Sequence, residues 1–321
     1  MGSNAAASIV SLGEIVAEII AEEPGAGFRE PIRLRGPYPS GAPAIFVDQV
    51  ARLGHRAGLI SCVGADDFGW LNVERLRRDG VDTSAIRIHP DHATGTAFVR
   101  YRNGGERDFV FNIRHSAAGC TQIDEAGRTL LDGCRHLHVM GSSLFSAQLV
   151  AAAEQAIRHV KAQGGTLSFD PNVRKEMLDL PGMREALGAV LRQCDIFMPS
   201  GPELTLLTEA SSEDGAVAEI LGLGVSSVVV KRGRDGASCH SRDGALRMQA
   251  FPATEIDPTG AGDCFGATFV TCRLQGRGIE DSLRYANASG ARAVGVRGPM
   301  EGTSSFHELD AFLVDAVKLG A

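Results

Sequence analysis

The stretch Asp257-Pro258-Thr259-Gly260-Ala261-Gly262-Asp263 decides how the rest of this sequence is interpreted. Its proline and glycines mark an irregular turn, and the small apolar residues at 264–270 have the spacing of a buried helix. Backbone amides at the start of a helix lack partners and carry partial positive charge, so they can hold a phosphate. The stretch therefore predicts an anion-binding loop that opens a buried helix.

Asp263 in the first helical turn is the distinctive residue of this stretch. A carboxylate there would repel a phosphate that is merely held, but it could take a proton from a hydroxyl that attacks a phosphoryl group. The structural alternative is an aspartate that only stabilises the helix dipole. The complete seven-residue string favours the catalytic interpretation.

Other phosphate motifs fit the sequence less well. GxxxxGK[ST] does not occur, which excludes a Walker-type loop. Gly260, Gly262 and Gly266 form GxGxxxG, which is one residue off the dinucleotide fingerprint and has no βαβ unit after it. An NAD-dependent oxidoreductase is therefore kept as an alternative of another class.

Composition narrows the class of protein. The 321 residues are 44% hydrophobic with a formal net charge of -7, which suits a large folded core and disfavours nucleic-acid or anionic membrane partners. No stretch approaches the ~20 apolar residues of a membrane span, and no signal peptide is recognisable. The seven cysteines are scattered without a CxxC pair, as expected for a cytoplasmic protein without a disulfide framework. His136 and His138 alternate on a predicted strand, but a third metal ligand is lacking nearby.

Short β-branched runs alternate with helical patterns, which predicts an α/β fold with a doubly wound, largely parallel sheet. The predicted core strands are Ser8–Leu12, Ala57–Val63, His136–Met140, Thr166–Asp170, Asp195–Pro199 and Ser227–Lys231. Ala147–Gln163 has helical spacing and is followed by Gly164-Gly165, a typical helix end.

One part of the chain departs from this alternation. Thr96–Arg102 and Arg107–Ile113 flank Asn103-Gly104-Gly105, which predicts a β-hairpin, and Glu14–Ile20 and Ile32–Gly36 read as further strands. We expect one domain over residues 1–321 whose small β lid comes from about residues 13–38 and 92–115. A lid would exclude water from a phosphoryl-transfer site.

The sequence resembles the PfkB, or ribokinase-like, carbohydrate kinases from about Leu12 to Asn287. The string 257–263 resembles the C-terminal signature of that family, and Ser40-Gly41-Ala42-Pro43-Ala44 resembles its glycine-rich substrate turn. Residues 63–69 and 80–82 follow in the expected order. The resemblance implies a ribokinase-like fold and ATP-dependent, magnesium-assisted phosphorylation of a sugar.

The resemblance also implies roles for individual residues. Asp263 would be the base, with the amides of Gly260, Ala261 and Gly262 as the anion hole. Residues implied to contact the nucleotide are Ser200, Lys231, Gly233, Gly236, Thr259 and Asn287. Glu203 would hold Mg²⁺ through water, and Asp257 would help to hold the monovalent cation, such as K⁺, that many members use.

Three departures from the family pattern concern the ligands. Ile45 stands where many members have an asparagine that contacts the sugar, Glu18 replaces a common aspartate, and Ser200 replaces the asparagine of the Asn-x-x-Glu motif. A pseudokinase would explain such changes without an activity. The intact loop that ends at Asp263 favours an enzyme.

The identity of the sugar is the least determined feature. Asp170-Pro171-Asn172-Val173-Arg174 resembles 2-keto-3-deoxygluconate kinases, and the guanidinium of Arg114 or Arg174 could bind a sugar acid. The run 39–49, with its isoleucine, looks like a subgroup that includes tagatose kinases. We therefore expect phosphorylation of a primary hydroxyl of a ketohexose, D-tagatose or D-fructose, with a 2-keto-3-deoxygluconate kinase as the alternative. Predicted sugar contacts are Glu18, Gly41, Asn112, Arg114 and Arg174, and lid pairing in the family suggests a homodimer.

Overall fold

The computed structural model describes residues 8–25, 27–102, 107–173 and 181–318. Its strands are β1 (Ile9–Leu12), β2 (Val16–Ala21), β3 (Leu34–Ser40), β4 (Ala57–Gly64), β5 (Ile86–His89), β6 (Gly95–Tyr101), β7 (Arg107–Asn112), β8 (His136–Met140), β9 (Thr166–Asp170), β10 (Ile196–Phe197), β11 (Ser227–Lys231), β12 (Ala237–Ser241) and β13 (Gly244–Met248). Its α-helices are α1 (Ala42–Arg52), α2 (Asp67–Arg78), α3 (Glu125–Asp132), α4 (Ala147–Ala162), α5 (Met183–Leu191), α6 (Glu213–Gly222), α7 (Ala261–Leu274), α8 (Ile279–Val294) and α9 (Phe306–Lys318).

The large sheet has nine strands in the order β13-β12-β11-β10-β9-β8-β1-β4-β5. The strands from β11 to β5 run parallel, whereas β12 and β13 extend the sheet in antiparallel fashion. The predicted parallel, doubly wound sheet is confirmed. Three predicted strands have the observed bounds, and Asp195–Pro199 shortens to Ile196–Phe197. The sequence analysis did not find β5, β12 or β13.

Helices cover both faces of the large sheet, because its strands present apolar side chains on both sides. Val10 and Leu12 of β1 belong to the core that contains buried residues of α3, α4, α5 and α6. Ile9 belongs to the opposite core, which contains buried residues of α1, α2, α7 and α8. Cys264–Cys272 of α7 is buried at every position, as is typical of a helix with neighbours on all sides.

The small sheet, which we call the lid, has the strand order β3-β2-β6-β7. β2 pairs with β6 in parallel and with β3 in antiparallel fashion, and β6 pairs with β7 as the two arms of the predicted hairpin. The predicted turn at 103–105 lies outside the described residues. The four strands come from the two segments predicted for the lid, except that β3 continues to Ser40.

Parallel pairing brings the carboxyl ends of five neighbouring strands to one edge of the large sheet. Glu14 follows β1, Ser142 follows β8, Asp170 ends β9, Ser200 follows β10 and Lys231 ends β11. All five side chains line the same cleft. The topology thus collects polar groups that are far apart in sequence.

Across the described part of the chain, the helices are too short or too polar to span a lipid bilayer. All seven cysteines have free thiols. Cys134 and Cys194 are buried, and this burial raises the pKa of Cys134 to about 12. The cysteines therefore act here as small apolar residues.

Candidate active site

A cleft of about 1080 Å³ lies between the lid and the carboxyl edge of the large sheet. Most of the predicted site residues line it. They are Glu18, Gly41, Arg114, Ser200, Glu203, Lys231, Gly233, Gly236, Thr259, Gly260, Ala261, Gly262, Asp263 and Asn287. Asn112 and Asp257 lie outside this lining, and Arg174 is outside the described residues.

The signature loop reaches the floor of the cleft through the N-terminus of α7. Gly260 is the N-cap of α7, and its left-handed backbone has φ of 82°. A Cβ at Gly260 would lie 2.4 Å from the carbonyl oxygen of Pro299, so this position needs glycine for both conformation and space. The amides of Gly262 and Asp263 lie in the first turn, where an α-helix supplies no partner. The loop thus presents amides of the kind that can bind an anion, and its predicted role as an anion hole stays a prediction.

Asp263 lies beside this loop in an acidic environment. Burial, and after it the charge of Asp170, raise the pKa of Asp263 to about 8 against the opposing charge of Lys231. Glu14 and Glu18 act in the same direction as Asp170. The side chain is partly open to the cleft. A carboxylate with a raised pKa is a stronger base once ionised, which suits proton removal from a hydroxyl.

Lys231 forms an ion pair with Asp170 at the junction of β11 and β9. The exposed fraction is 15% for the Lys231 side chain and 2% for that of Asp170. Burial raises the pKa of Asp170 to about 6 against the attraction of Lys231. Burial lowers the pKa of Lys231, but the charges of Asp170 and Glu203 outweigh it and leave the pKa raised. Lys231 is thus a fixed positive charge, rather than a solvated strand end.

The ammonium of Lys231 also lies at the signature loop. A Cβ added at Gly262 would be 3.7 Å from Lys231 Nζ. The loop amides and this cation therefore face the same part of the cleft. Together they provide the positive environment that a transferred phosphoryl group requires.

Glu203 closes the turn that follows β10. Its Oε2 accepts hydrogen bonds from the amide of Ser200 at 2.7 Å and from the Ser200 hydroxyl at 2.6 Å. Its Oε1 accepts from the amide of Val173 at 2.7 Å. Ser200 thus replaces the family asparagine without leaving Glu203 unsupported. The carboxylate is held in place and still faces the cleft.

The end of the cleft that adjoins β1 and β8 was predicted less completely. Glu14 is buried and accepts from the hydroxyls of Ser142, at 3.2 Å, and Ser143. Burial raises the pKa of Glu14. Glu18 accepts from the Ser40 hydroxyl at 3.2 Å. These two carboxyl groups make this end of the cleft acidic.

The glycine-rich turn before α1 borders the same end of the cleft. Gly41 has φ of 114°, and a Cβ there would lie 2.5 Å from the backbone oxygen of Glu14. Only glycine lets the two segments approach this closely. Ile45, one turn into α1, is buried and contributes an apolar wall to the cleft.

The lid hairpin supplies a mixed surface. Phe109 and Phe111 are stacked with ring centroids 5.1 Å apart, and both line the cleft together with Arg114. Asn112 is exposed instead, and its amide donates to the Thr96 hydroxyl at 3.2 Å. Asn112 therefore belongs to the lid sheet in this arrangement, and its predicted sugar contact stays a prediction.

The opposite end of the cleft contains residues that were predicted to contact the nucleotide. Gly233 and Gly236 bound the turn between β11 and β12 and line the cleft. Thr259 of the signature stretch lines the same cleft. Asn287 of α8 donates to the carbonyl of Gln249 at 3.2 Å. Phe251 adds an apolar surface.

Asp257 is buried below the cleft and holds three segments together. Its Oδ1 accepts from the Tyr101 hydroxyl at 2.9 Å and from the Thr259 amide at 3.0 Å. Its Oδ2 accepts from the Gly298 amide at 3.0 Å. The carboxylate is 1% exposed. Its predicted role at a monovalent cation stays a prediction.

The two strand histidines have structural partners. His136 hydrogen-bonds Thr166 and Ser168 at 2.7 Å, and His138 hydrogen-bonds Ser168 at 2.7 Å. His138 also stacks on Phe46, with ring centroids 3.7 Å apart. Burial lowers the pKa of His136 to about 4, so this pair is a neutral core network.

Among the described residues, one other group has metal-ligand composition. His89, His92 and Cys120 have potential ligand atoms within 4.8 Å of one another near the base of the lid. However, His89 Nδ1 already accepts from the amides of Asp91 and His92 at 3.1 Å. This engagement favours a turn-stabilising role.

Sequence reasoning missed Glu14, Ser142 and the pairing of Asp170 with Lys231. They could have been predicted from one shared feature, because each lies at or just beyond the carboxyl end of a predicted parallel strand. Phe109 and Phe111 could be placed in the hairpin, but their shared position in the cleft depends on how the lid is docked.

Comparison with known proteins agrees with this geometry. The family model described as "pfkB family carbohydrate kinase" matches residues 6–305. A solved structure from E. coli with the provisional name ribokinase II, in complex with ATP and Mg²⁺, is 50% identical with a TM-score of 0.92 and covers 96% of this chain and 99% of its own.

Two curated relatives are also similar over most of their length. Fructokinase-1 of Zea mays is 32% identical, covering 88% of this chain and 90% of its own. The 2-dehydro-3-deoxygluconokinase of Bacillus subtilis (strain 168) is 30% identical, covering 95% and 94%. On this match over nearly the whole chain, together with the sheet order, lid and signature loop, the protein belongs to the PfkB family of carbohydrate kinases.

Proposed function

We propose that this protein transfers the γ-phosphoryl group of ATP to a primary hydroxyl of a small neutral sugar, a ketohexose such as D-fructose or D-tagatose. The observation that carries the proposal is the joint position of Asp263, the Gly260–Gly262 loop and Lys231 in one lidded cleft. A base, amide donors and a fixed cation are the groups that an in-line phosphoryl transfer needs.

Each group has a distinct part in the reaction. Asp263, when ionised, takes the proton from the attacking hydroxyl as the oxygen–phosphorus bond forms and the bond to the leaving ADP oxygen breaks. The amides of the signature loop stabilise charge on the transferred phosphoryl oxygens, and Lys231 adds a full positive charge beside them. The lid excludes water, which would otherwise accept the phosphoryl group.

The residues near β9 and β10 are compatible with Mg²⁺. Glu203 and Asp170 are two carboxylates that face the cleft and interact electrostatically, and hard cations prefer such oxygen ligands. When bound, Mg²⁺ would neutralise phosphate charge. Glu203 would contact it through water, because its own oxygens already accept three hydrogen bonds.

A neutral sugar is favoured by the charges at the sugar end. Glu14, Glu18 and Asp170 each raise the pKa of Asp263, so the acids lie close enough to act on one another. An anionic substrate would add a further negative charge to this group. Hydroxyl groups, in contrast, can donate to such carboxylates.

Arg114 and the similarity to the Bacillus enzyme support a second candidate, a 2-keto-3-deoxygluconate kinase. Arg114 lines the cleft from the lid side, and a guanidinium binds a carboxylate in bidentate fashion. The two candidates differ in whether the substrate carries a charge, which makes them easy to separate.

An ADP-release assay with Mg²⁺-ATP tests both candidates. The panel comprises D-fructose, D-tagatose, ribose, adenosine and 2-keto-3-deoxygluconate, with Asp263→Asn as the control. We expect turnover with a ketohexose that the variant loses. Turnover with 2-keto-3-deoxygluconate alone would overturn the ketohexose proposal and leave the sugar kinase.

Three further properties belong to this proposal. We infer that the protein is cytoplasmic, in keeping with its free thiols. We also infer a homodimer whose lids pair, because Ile32, Leu34 and Val110 expose apolar side chains on or beside the two edge strands of the lid. Sedimentation velocity tests the dimer, and Val110→Glu should shift it toward monomer. Titrating K⁺ into the assay tests the cation role that we propose for Asp257.

A further inference from the structure

A hydrogen bond between a tyrosine and an aspartate links the lid to the signature stretch. Tyr101 ends β6, and its hydroxyl donates to Oδ1 of Asp257 at 2.9 Å. These residues are 156 positions apart in the chain. The bond therefore links the far end of a lid strand to the first residue of the signature stretch.

Asp257 transmits this contact to the loop that precedes α7. The oxygen that accepts from Tyr101 also accepts from the amide of Thr259 at 3.0 Å. Its other oxygen accepts from Gly298, next to Pro299, whose carbonyl oxygen lies 2.4 Å from a Cβ added at Gly260. Two of the three donors to Asp257 are therefore close to the anion-binding loop: Thr259 precedes Gly260, and Gly298 precedes Pro299, which contacts Gly260.

The surroundings make this bond depend on the position of the lid. With the lid in the observed position Asp257 is 1% exposed, so its carboxylate relies on protein donors rather than on water. The Tyr38 ring, from strand β3 of the lid, packs against Gly298, which also donates to Asp257. A Cβ added at Gly298 would lie 2.7 Å from Tyr38 Cδ1. Moving the lid away would remove the hydroxyl and leave a buried carboxylate with fewer donors.

We propose that Tyr101 is a positioning residue, which couples closure of the lid to the arrangement of the Gly260–Gly262 loop through Asp257. The coupling rests on the proposed kinase function, because it makes the anion-binding loop complete only when the lid excludes water. ATP would then be protected from hydrolysis while the lid is open.

Tyr101→Phe removes the hydroxyl and keeps the ring. Tyr285→Phe is the matched control, because the Tyr285 hydroxyl also donates to an aspartate, Asp310, between α8 and α9. We expect Tyr101→Phe to lower kcat about ten-fold while the KM for ATP changes less than two-fold, since one hydrogen bond to a charged group is lost in the closed state. ATP hydrolysis without sugar should rise relative to transfer. In Tyr285→Phe, the kcat, the KM for ATP and the ratio of ATP hydrolysis to transfer should all stay within two-fold of the wild-type values.

Two further measurements separate coupling from general destabilisation. In an Asp257→Asn background, adding Tyr101→Phe should change kcat less than two-fold, because the partner is already altered. Hydrogen exchange of β6 amides should accelerate in Tyr101→Phe, whereas exchange in β12 should not. This second readout needs no substrate, so it tests the coupling even if the proposed activity is wrong.

Unchanged kcat, unchanged hydrolysis ratio and unchanged β6 exchange in Tyr101→Phe would overturn the proposal. Equal losses in Tyr101→Phe and Tyr285→Phe would also overturn it, because they would indicate a general effect of removing a tyrosine–aspartate hydrogen bond. Loss of activity in Asp263→Asn with a normal Tyr101→Phe would leave the kinase proposal intact and reject only the coupling.

Discussion

The phosphate end and the sugar end of the cleft are built in different ways. At the phosphate end, seven consecutive residues supply the loop amides and Asp263, and Lys231 joins them from the end of β11. At the sugar end, Glu14, Gly41 and Arg114 come from three separate segments, each of which adjoins a strand of the lid. Chemistry common to a family can thus reside in one contiguous motif, while substrate choice depends on how distant segments are docked.

The largest effect should come from Asp263→Asn. We expect kcat to fall by roughly 10²–10⁴, because the variant cannot accept the hydroxyl proton. Asp281→Asn is the matched control, since Asp281 is also an acid in the first turn of a helix but is exposed on α8. If both variants kept near-normal kcat, Asp263 would only stabilise a helix dipole.

Lys231→Met should have the next largest effect. We expect kcat/KM at pH 7 to fall about ten-fold or more, because the loop loses its fixed cation. The pKa of Asp263 is about 8 and Lys231 lowers it. Since the base acts when ionised, kcat/KM in the wild type should rise as the pH rises toward 8. In the variant the pKa of Asp263 is no longer lowered by Lys231, so this rising limb of the pH profile should move to higher pH.

Lys161→Met is the control for this variant. Lys161 pairs with Asp195 at 2.6 Å near the opposite edge of the sheet. Its loss should leave the pH profile of kcat/KM unchanged. A pH limb that stays in place in Lys231→Met would contradict the electrostatic link between Lys231 and Asp263.

Gly260→Ala separates the space requirement of the loop from its conformational requirement. Gly260 has φ of 82° and Gly276 has φ of 80°, but a Cβ meets Pro299 at the first position and nothing within 4 Å at the second. Gly276→Ala should lower the free energy of unfolding by about 1 kcal/mol, and Gly260→Ala by about 2 kcal/mol or more. Denaturant unfolding measures both changes, and equal losses would show that the loop tolerates the contact.

Arg114→Ala should have the smallest effect on the chemical step. We expect the KM for the sugar to rise about ten-fold, while kcat and the KM for ATP change less than two-fold, because only ground-state binding is lost. Steady-state kinetics with the preferred sugar checks this split. A loss of kcat comparable to that of Lys231→Met would remove the distinction between the two ends.

The phosphate end was largely predictable from sequence because its determinants are local. A glycine-rich turn before a buried helix fixes the positions of the amides. The location of Asp263 follows from the same pattern, because it lies in the first turn of that helix. The parallel strands were also predictable from local runs of apolar residues. The strands His136–Met140, Thr166–Asp170 and Ser227–Lys231 were therefore predicted with their observed bounds.

The rest depends on contacts that sequence does not encode locally. Asp170 and Lys231 are 61 residues apart, and their pairing follows from the order of β9, β10 and β11. Strand β12 carries Ser238, His240 and Ser241, and strand β13 is short and largely exposed, so neither has a clear apolar pattern. Asn112 and Arg114 are two residues apart, but only Arg114 lines the cleft, because their positions depend on the end of β7.

Phosphorus-31 NMR of the wild-type reaction tests the central claim most directly. With Mg²⁺-ATP and D-fructose or D-tagatose, we predict one sugar phosphomonoester signal, split by the protons of a primary carbon, in an amount equal to the ADP formed. Inorganic phosphate as the sole product, or no ADP with any sugar of the panel, would contradict the assignment of this cleft as a sugar kinase site.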